Sequence, residues 1–146
     1  MRPTIYLDYA ASTPVAAEVV DAMTAALRSP ELAANPAASS HAPGRCAAAV
    51  VEFARQQVAD LIRAAPEEVI FTSGATEADN LAILGAARFR EAQGRHLVTA
   101  LTEHKAVLES CRYLVTQGWR VTWVKTNADG VVDPATLAAA PAPDTV

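Results

Sequence analysis

Apolar and polar positions follow two different periods along this chain, and the change comes near residue 69. Before it the spacing is helical. Val15, Val19, Ala22, Met23, Ala26 and Leu27 recur at three- and four-residue steps and line one face of a helix. Thr13 as N-cap with Pro14 in the first helical position predicts its start, and Arg28-Ser29-Pro30 its end. Residues 31–43 are rich in Ala, Ser, Asn and Pro without a steady period and read as a loop, with turns at Asn35-Pro36 and Pro43-Gly44. Gly44 to about Arg63 reads as the longest helix, its stripe formed by Val50, Val51, Ala54, Val58, Leu61 and Ile62, with Pro66 as its stop.

From Val69 onward short apolar runs alternate with helical ones. Val69-Ile70-Phe71 is β-branched and aromatic and predicts a strand. A helix from Glu77 to about Gln93 follows, with Leu81, Leu84 and Ala87 facing inward and Gly94 ending it. His96 to Ala100 predicts a strand, His104 to about Gln117 a helix closed by Gly118, and Trp119 to Lys125 another strand. Asn127-Ala128-Asp129-Gly130 marks a turn before a short helix from Asp133 or Pro134 to Ala140. At the other end Ile5 to Ala11 is a short extended opening. Strands alternating with helices over short loops imply right-handed crossovers and a parallel sheet, hence an α/β layer. In such sheets ligands sit at the carboxyl ends of the strands.

Two stretches fall at those ends. Ser73, Gly74 and Ala75 carry almost no side chain, so the backbone can approach another group closely. With Thr76 as N-cap and Asp79 closing a capping box, free N–H groups would gather at the positive end of a helix dipole, a site for an anion such as phosphate. A strand-to-helix turn kept small for packing is the competing reading. The stretch matches neither G-x-x-x-x-G-K-[ST] nor G-x-G-x-x-G, which leaves a phosphate carried by some other small molecule. Thr102-Glu103-His104 ends the next strand on the same rim, where His104 either caps and packs or meets a ligand. Lys105 and Lys125 are the only lysines, and Lys105 is expected to point elsewhere on its helix.

Composition narrows the classes further. The chain has 146 residues, enough for one domain with a core, and 12 basic against 16 acidic side chains give a net charge of −4 with no run of either sign. That balance points away from nucleic acid and from an anionic membrane surface. No apolar run approaches a bilayer span, and Met1-Arg2-Pro3-Thr4 lacks a signal-peptide core, so a cytoplasmic protein is expected. Cys46 and Cys111 form no disulfide framework and read as small buried hydrophobes. His41, His96 and His104 have no metal-ligand spacing, so no metal is expected; His41 sits in the long loop, either solvated or part of a site.

Four blocks in order resemble the cysteine desulfurases: Tyr6 to Pro14, Asn35 to His41, Phe71 to Ile83 and Thr102 to Leu108. These are pyridoxal 5'-phosphate enzymes of the class V aminotransferase group with fold-type I architecture. The resemblance implies a three-layer α/β large domain with a mainly parallel sheet, of which this chain is the truncated first part. Residues 1–43 would be an N-terminal segment with a helix and a loop near the active site, and 44–146 the start of the cofactor domain. It further implies that Ala75 and Thr76 bind the cofactor phosphate, and that His104 stacks on the pyridine ring and assists proton transfers. The family converts L-cysteine to L-alanine, passes the sulfur to an enzyme cysteine as a persulfide, supplies it to acceptor or scaffold proteins for iron–sulfur clusters, and works as a homodimer. By that pattern the Schiff-base lysine, the pyridine-nitrogen aspartate, the acceptor cysteine and the substrate arginine lie beyond Val146, and neither Cys46 nor Cys111 is the acceptor. The chain alone is therefore expected to be inactive, to bind the cofactor weakly and to be poorly soluble. A non-catalytic standalone domain, a selenocysteine lyase and other class V members are the alternatives.

Overall fold

A computed structural model describes residues 5–146, so the Met1–Thr4 stretch read for a signal core lies outside the described residues. The chain forms two units, Met1–Ile70 and Phe71–Val146.

The first unit holds α1 (Ala17–Arg28) and α2 (Ala42–Ile62), joined by a loop with one 3-10 turn at Pro30–Leu32. Helix α1 starts three residues later than Thr13 and Pro14 predict. The Thr13 hydroxyl donates to the Tyr9 carbonyl at 2.9 Å rather than accepting a helix N–H, and Ala16 stands at the N-cap without a side-chain bond. Helix α2 starts earlier than expected because His41 caps it, its Nδ1 accepting the Gly44 N–H at 3.0 Å. Pro43-Gly44 is thus the helix's first turn rather than a separate one, and proline fits there because its missing N–H would have no partner. The helix buries Gly44, Ala47 and Ala59, not the predicted stripe; Val50, Val58, Leu61 and Ile62 are exposed. Gly44 is required by closeness, since a Cβ there would lie 2.0 Å from the Ala38 carbonyl oxygen. Arg63, in the left-handed region at φ 58°, ends the helix before Pro66 does.

Among the described residues Val69-Ile70-Phe71 is not assigned as a strand, contrary to expectation. Val69 is extended (φ −95°, ψ 118°), but its carbonyl accepts from the Arg55 guanidinium instead of a neighbouring strand. Extended propensity sets the backbone angles; only a paired neighbour makes a strand.

The second unit holds α3 (Ala75–Arg90), β1 (His96–Ala100), α4 (Lys105–Thr116), β2 (Arg120–Val124) and α5 (Pro134–Ala139). Strands β1 and β2 run parallel, with His96 opposite Arg120 and Ala100 opposite Val124, and α4 is the crossover between them. From α3 onward the helix and parallel-strand order read from the sequence is the one found, without the strand expected at residues 69–71. Thr145 adds a parallel bridge to His96, with the His96 N–H donating to the Asp144 carbonyl at 3.2 Å and the Val146 N–H to the His96 carbonyl at 3.1 Å. Gly94 permits this approach, because a Cβ there would lie 2.1 Å from the Asp144 carbonyl oxygen. Helix α3 itself ends at Arg90, and the chain turns through Gln93 to reach that glycine.

The core of this unit is Ala87, Leu114 and Trp119, with Ile83, Leu84, Leu97 and Val146 packed against it. Of the face predicted on α3, Ala87 is fully buried, Leu84 partly, and Leu81 is exposed. His96 is the one large side chain among the described residues with no exposure, and its imidazole bridges two hydroxyls, Thr145 Oγ1 at 2.6 Å and Thr122 Oγ1 at 2.8 Å. A buried imidazole needs partners for both nitrogens, and here the sheet supplies them.

Candidate functional site

The stretch from Thr72 to Asn80 turns from extended backbone into α3. Gly74, not Thr76, is the N-cap, and no side chain of Gly74 or Thr76 takes a helix N–H. Asp79 closes no capping box. Its place is taken by Glu77, one Oε2 atom of which accepts both the Ser73 N–H at 2.7 Å and the Ser73 hydroxyl at 2.6 Å. Those bonds, the hydroxyl's first, hold the Glu77 carboxyl below the usual carboxylate range. The reason for the difference is geometric. With the helix beginning at Ala75, Glu77 is in the third helical position, from which a carboxylate reaches backwards over the turn.

Glu77 bonds to Ser73, one residue before the N-cap. Among the described residues the backbone N–H groups of Gly74, Ala75, Thr76 and Glu77 donate to nothing, and the first bond of this turn runs from the Ala78 N–H to the Gly74 carbonyl. Four consecutive free donors stand at the positive end of a 16-residue helix. The space beside Gly74 is open, with no atom within 4 Å of where a Cβ would sit.

Thr76 faces a cavity of about 250 Å³ shared with Asn80, His104, Lys105, Ala106 and Glu109. The two rim features read from the sequence are thus brought together. Asn80 is anchored by its Nδ2, which donates to the Thr76 carbonyl at 2.8 Å. His104 is the N-cap of α4, its Nδ1 accepting the Ala106 N–H at 3.2 Å, so Nε2 is the ring nitrogen left for another group. It is both cap and cavity wall. Lys105, expected to point elsewhere, lines the same cavity, and its ammonium forms no ion pair among the described residues. Glu109 is turned to Arg112 at 2.6 Å. Ala75 belongs to the donor row but not to the cavity lining. The residues that sequence reasoning missed are Glu77 and Asn80; the signal for Glu77 was its four-residue spacing from Ser73.

A phosphate fits this donor set. An oxyanion needs several hydrogens converging in an open space, and the free N–H groups with the Thr76 hydroxyl supply them without a buried countercharge. A larger hollow, about 710 Å³, lies instead at the end of β2 along Lys125, Asn127, Asp133 and Thr136. There both Asp133 oxygens are occupied in capping α5, and Asn127 Oδ1 accepts two backbone N–H groups of its own turn. Size alone does not make it the better site.

Neither thiol serves this cavity. Cys111 is buried as expected, and burial pushes its thiol up, with the Glu103 carboxylate adding to the effect. Cys46 is exposed, contrary to expectation, since the close-packed side of α2 runs through Gly44 and Ala47 instead. Among the described residues no helix is long and apolar enough to cross a membrane.

Residues 5–146 match the aminotransferase class V family. Over all 146 residues the chain is 49% identical to cysteine desulfurase IscS of Shewanella woodyi, of which it spans 36%. Among solved structures, a NifS-like protein superposes with a TM-score of 0.87 at 36% identity, covering 97% of this chain and 38% of that one. SspA in complex with cysteine superposes with a TM-score of 0.85 at 39% identity, covering 97% of this chain and 40% of that one.

Proposed function

Because the chain belongs to the class V aminotransferase family, we propose that it is the N-terminal part of a cysteine desulfurase and that the start of α3 holds the phosphate of pyridoxal 5'-phosphate. The observation that carries this reading is the cavity uniting Thr76 with His104, in a chain 49% identical over its whole length to an IscS cysteine desulfurase. When bound, pyridoxal phosphate supplies an electron sink for the α-carbon of an amino acid. This chain's residues bind and orient it. The N–H groups of Ala75 and Thr76 and the Thr76 hydroxyl take the phosphate oxygens, with Gly74 leaving room for them. His104, pinned through Nδ1, would hold the pyridine ring and keep Nε2 for holding or moving a proton.

L-cysteine is the substrate in this proposal, L-alanine the product, and the sulfur leaves for a cysteine outside Cys46 and Cys111 and then for acceptor proteins that build iron–sulfur clusters. A homodimer in the cytoplasm is the expected setting, as is a division of the sequence at residue 43 between the N-terminal segment and the start of the cofactor domain. Thr76→Val removes the hydroxyl while keeping the shape. It should raise the Kd for pyridoxal phosphate about tenfold, the cost of one charge-assisted hydrogen bond, and leave the Kd for unphosphorylated pyridoxal unchanged. Equal loss for both ligands would remove the phosphate role.

A further inference from the structure

We propose that Glu77 is a positioning residue for the phosphate cup, fixing Ser73 so that the donors of Gly74, Ala75 and Thr76 converge before any ligand arrives. The inference rests on the reading of α3 as the cofactor-phosphate site and adds to it the group that shapes the site. Its basis is a displacement by one residue. In an ordinary capping box the carboxylate in the third helical position takes the N–H of the N-cap. Here Gly74 is the N-cap, and Glu77 passes it over for Ser73 at 2.7 and 2.6 Å. The consequence is that the Gly74 N–H stays available and the row of free donors is four long instead of three.

The clasp also restrains the part of the loop with the least restraint of its own. Gly74 has no side chain, and a Cβ there would touch nothing, so packing does not hold it. Beside Glu77, the Thr72 hydroxyl and the Ala78 N–H, each donating to the Gly74 carbonyl at 3.1 Å, hold one side of this glycine, and nothing holds its N–H. A glycine free to rotate must be ordered by the ligand, and that ordering subtracts from affinity. A second effect opposes this one, since a carboxylate near a phosphate repels it. Glu77 is exposed, its charge is screened by water and its proximal oxygen is covered by two donors, so the positioning effect dominates.

The two effects separate by substitution. Titration of the chain with pyridoxal phosphate and with pyridoxal gives a ratio of dissociation constants that reports the phosphate contribution alone. Glu77→Ala should lower the phosphate preference about tenfold, the order expected for one backbone residue that the ligand must now fix. Pyridoxal affinity should stay unchanged. Glu77→Gln keeps an acceptor without the charge and should remain within about twofold of wild type. Ser73→Ala, which keeps the N–H and loses the hydroxyl, should fall between. A Glu77→Ala ratio equal to or above wild type overturns the proposal, the latter outcome meaning that repulsion governs. Should Glu77→Ala fail to fold, the other two variants decide: a wild-type ratio in Ser73→Ala together with a tenfold loss in Glu77→Gln overturns it, because charge and not position would then matter. A wild-type chain with no preference for the phosphorylated ligand would instead remove the cofactor reading itself, which keeps the two failures apart.

Discussion

Asp133 and His104 each hold the start of a helix, and each can be tested without disturbing the other. Both Asp133 oxygens are engaged, Oδ2 by the Thr136 hydroxyl at 2.7 Å and the Thr136 N–H at 3.0 Å, Oδ1 by the Ala135 N–H at 3.3 Å. These bonds, the Thr136 hydroxyl's foremost, hold the carboxyl below its usual value. A group whose value is depressed by folding contributes stability above its unfolded value, which is about 3.9 for Asp, and that contribution is lost as pH falls through the folded value. Asp133→Asn keeps a good cap that does not titrate, so its thermal midpoint should fall less steeply than wild type below about pH 4; parallel acid profiles would contradict the capping role. For His104, alanine removes cap and ring, while asparagine restores the cap alone. His104→Ala should lose about 1 kcal/mol of stability and His104→Asn much less, yet both should lose cofactor affinity. Recovery of affinity in the asparagine variant would mean that the ring does not meet the cofactor.

Among elements, the helices and the two paired strands were legible because their periods are long and their ends carry strong local chemistry. Gly118 and the Asp133-Pro134 start are examples, the one at φ 85° after α4 and the other the cap of α5. The failures share a cause, since each depended on what a residue meets rather than on what it prefers. Val69-Ile70-Phe71 has strand propensity but forms no strand element among the described residues. Thr76 looked like a cap, but the helix begins at Ala75, and Glu77 does the reaching back. The large apolar residues of α2 suggest its buried stripe, whereas the helix buries its small ones. His96 gave no sequence signal at all, since its two threonine partners are 26 and 49 residues away. Gly94 and Gly85 provide the matching test. Gly94→Ala would force a Cβ against the Asp144 backbone and should cost about 1–3 kcal/mol. Gly85 lies inside α3 with nothing within 4 Å of its Cβ, so Gly85→Ala should gain about 0.5–1 kcal/mol. Equal thermal midpoints for the two variants would contradict the close approach at Gly94.

For the molecule as a whole, the exposed apolar surface is large. Leu27, Leu61 and Phe89 are each more than 80% exposed, and α1 buries no residue at all. Surfaces of this kind associate. The chain should therefore bind a hydrophobic dye and sediment with a concentration-dependent mass; a monodisperse monomer with no dye binding would contradict this. The chain spans little more than a third of the length of the relatives it matches. The family was readable in the sequence as four ordered blocks, and the free donors at the start of α3 as a run of small residues before a helix. What the sequence did not disclose was which side chain organises the run. The most direct measurement is a titration of the chain's backbone amide resonances with pyridoxal 5'-phosphate. The amides of Gly74, Ala75 and Thr76 should move first and furthest, together with His104. Shifts confined to Lys125, Asn127 and their neighbours around the larger hollow would contradict the account.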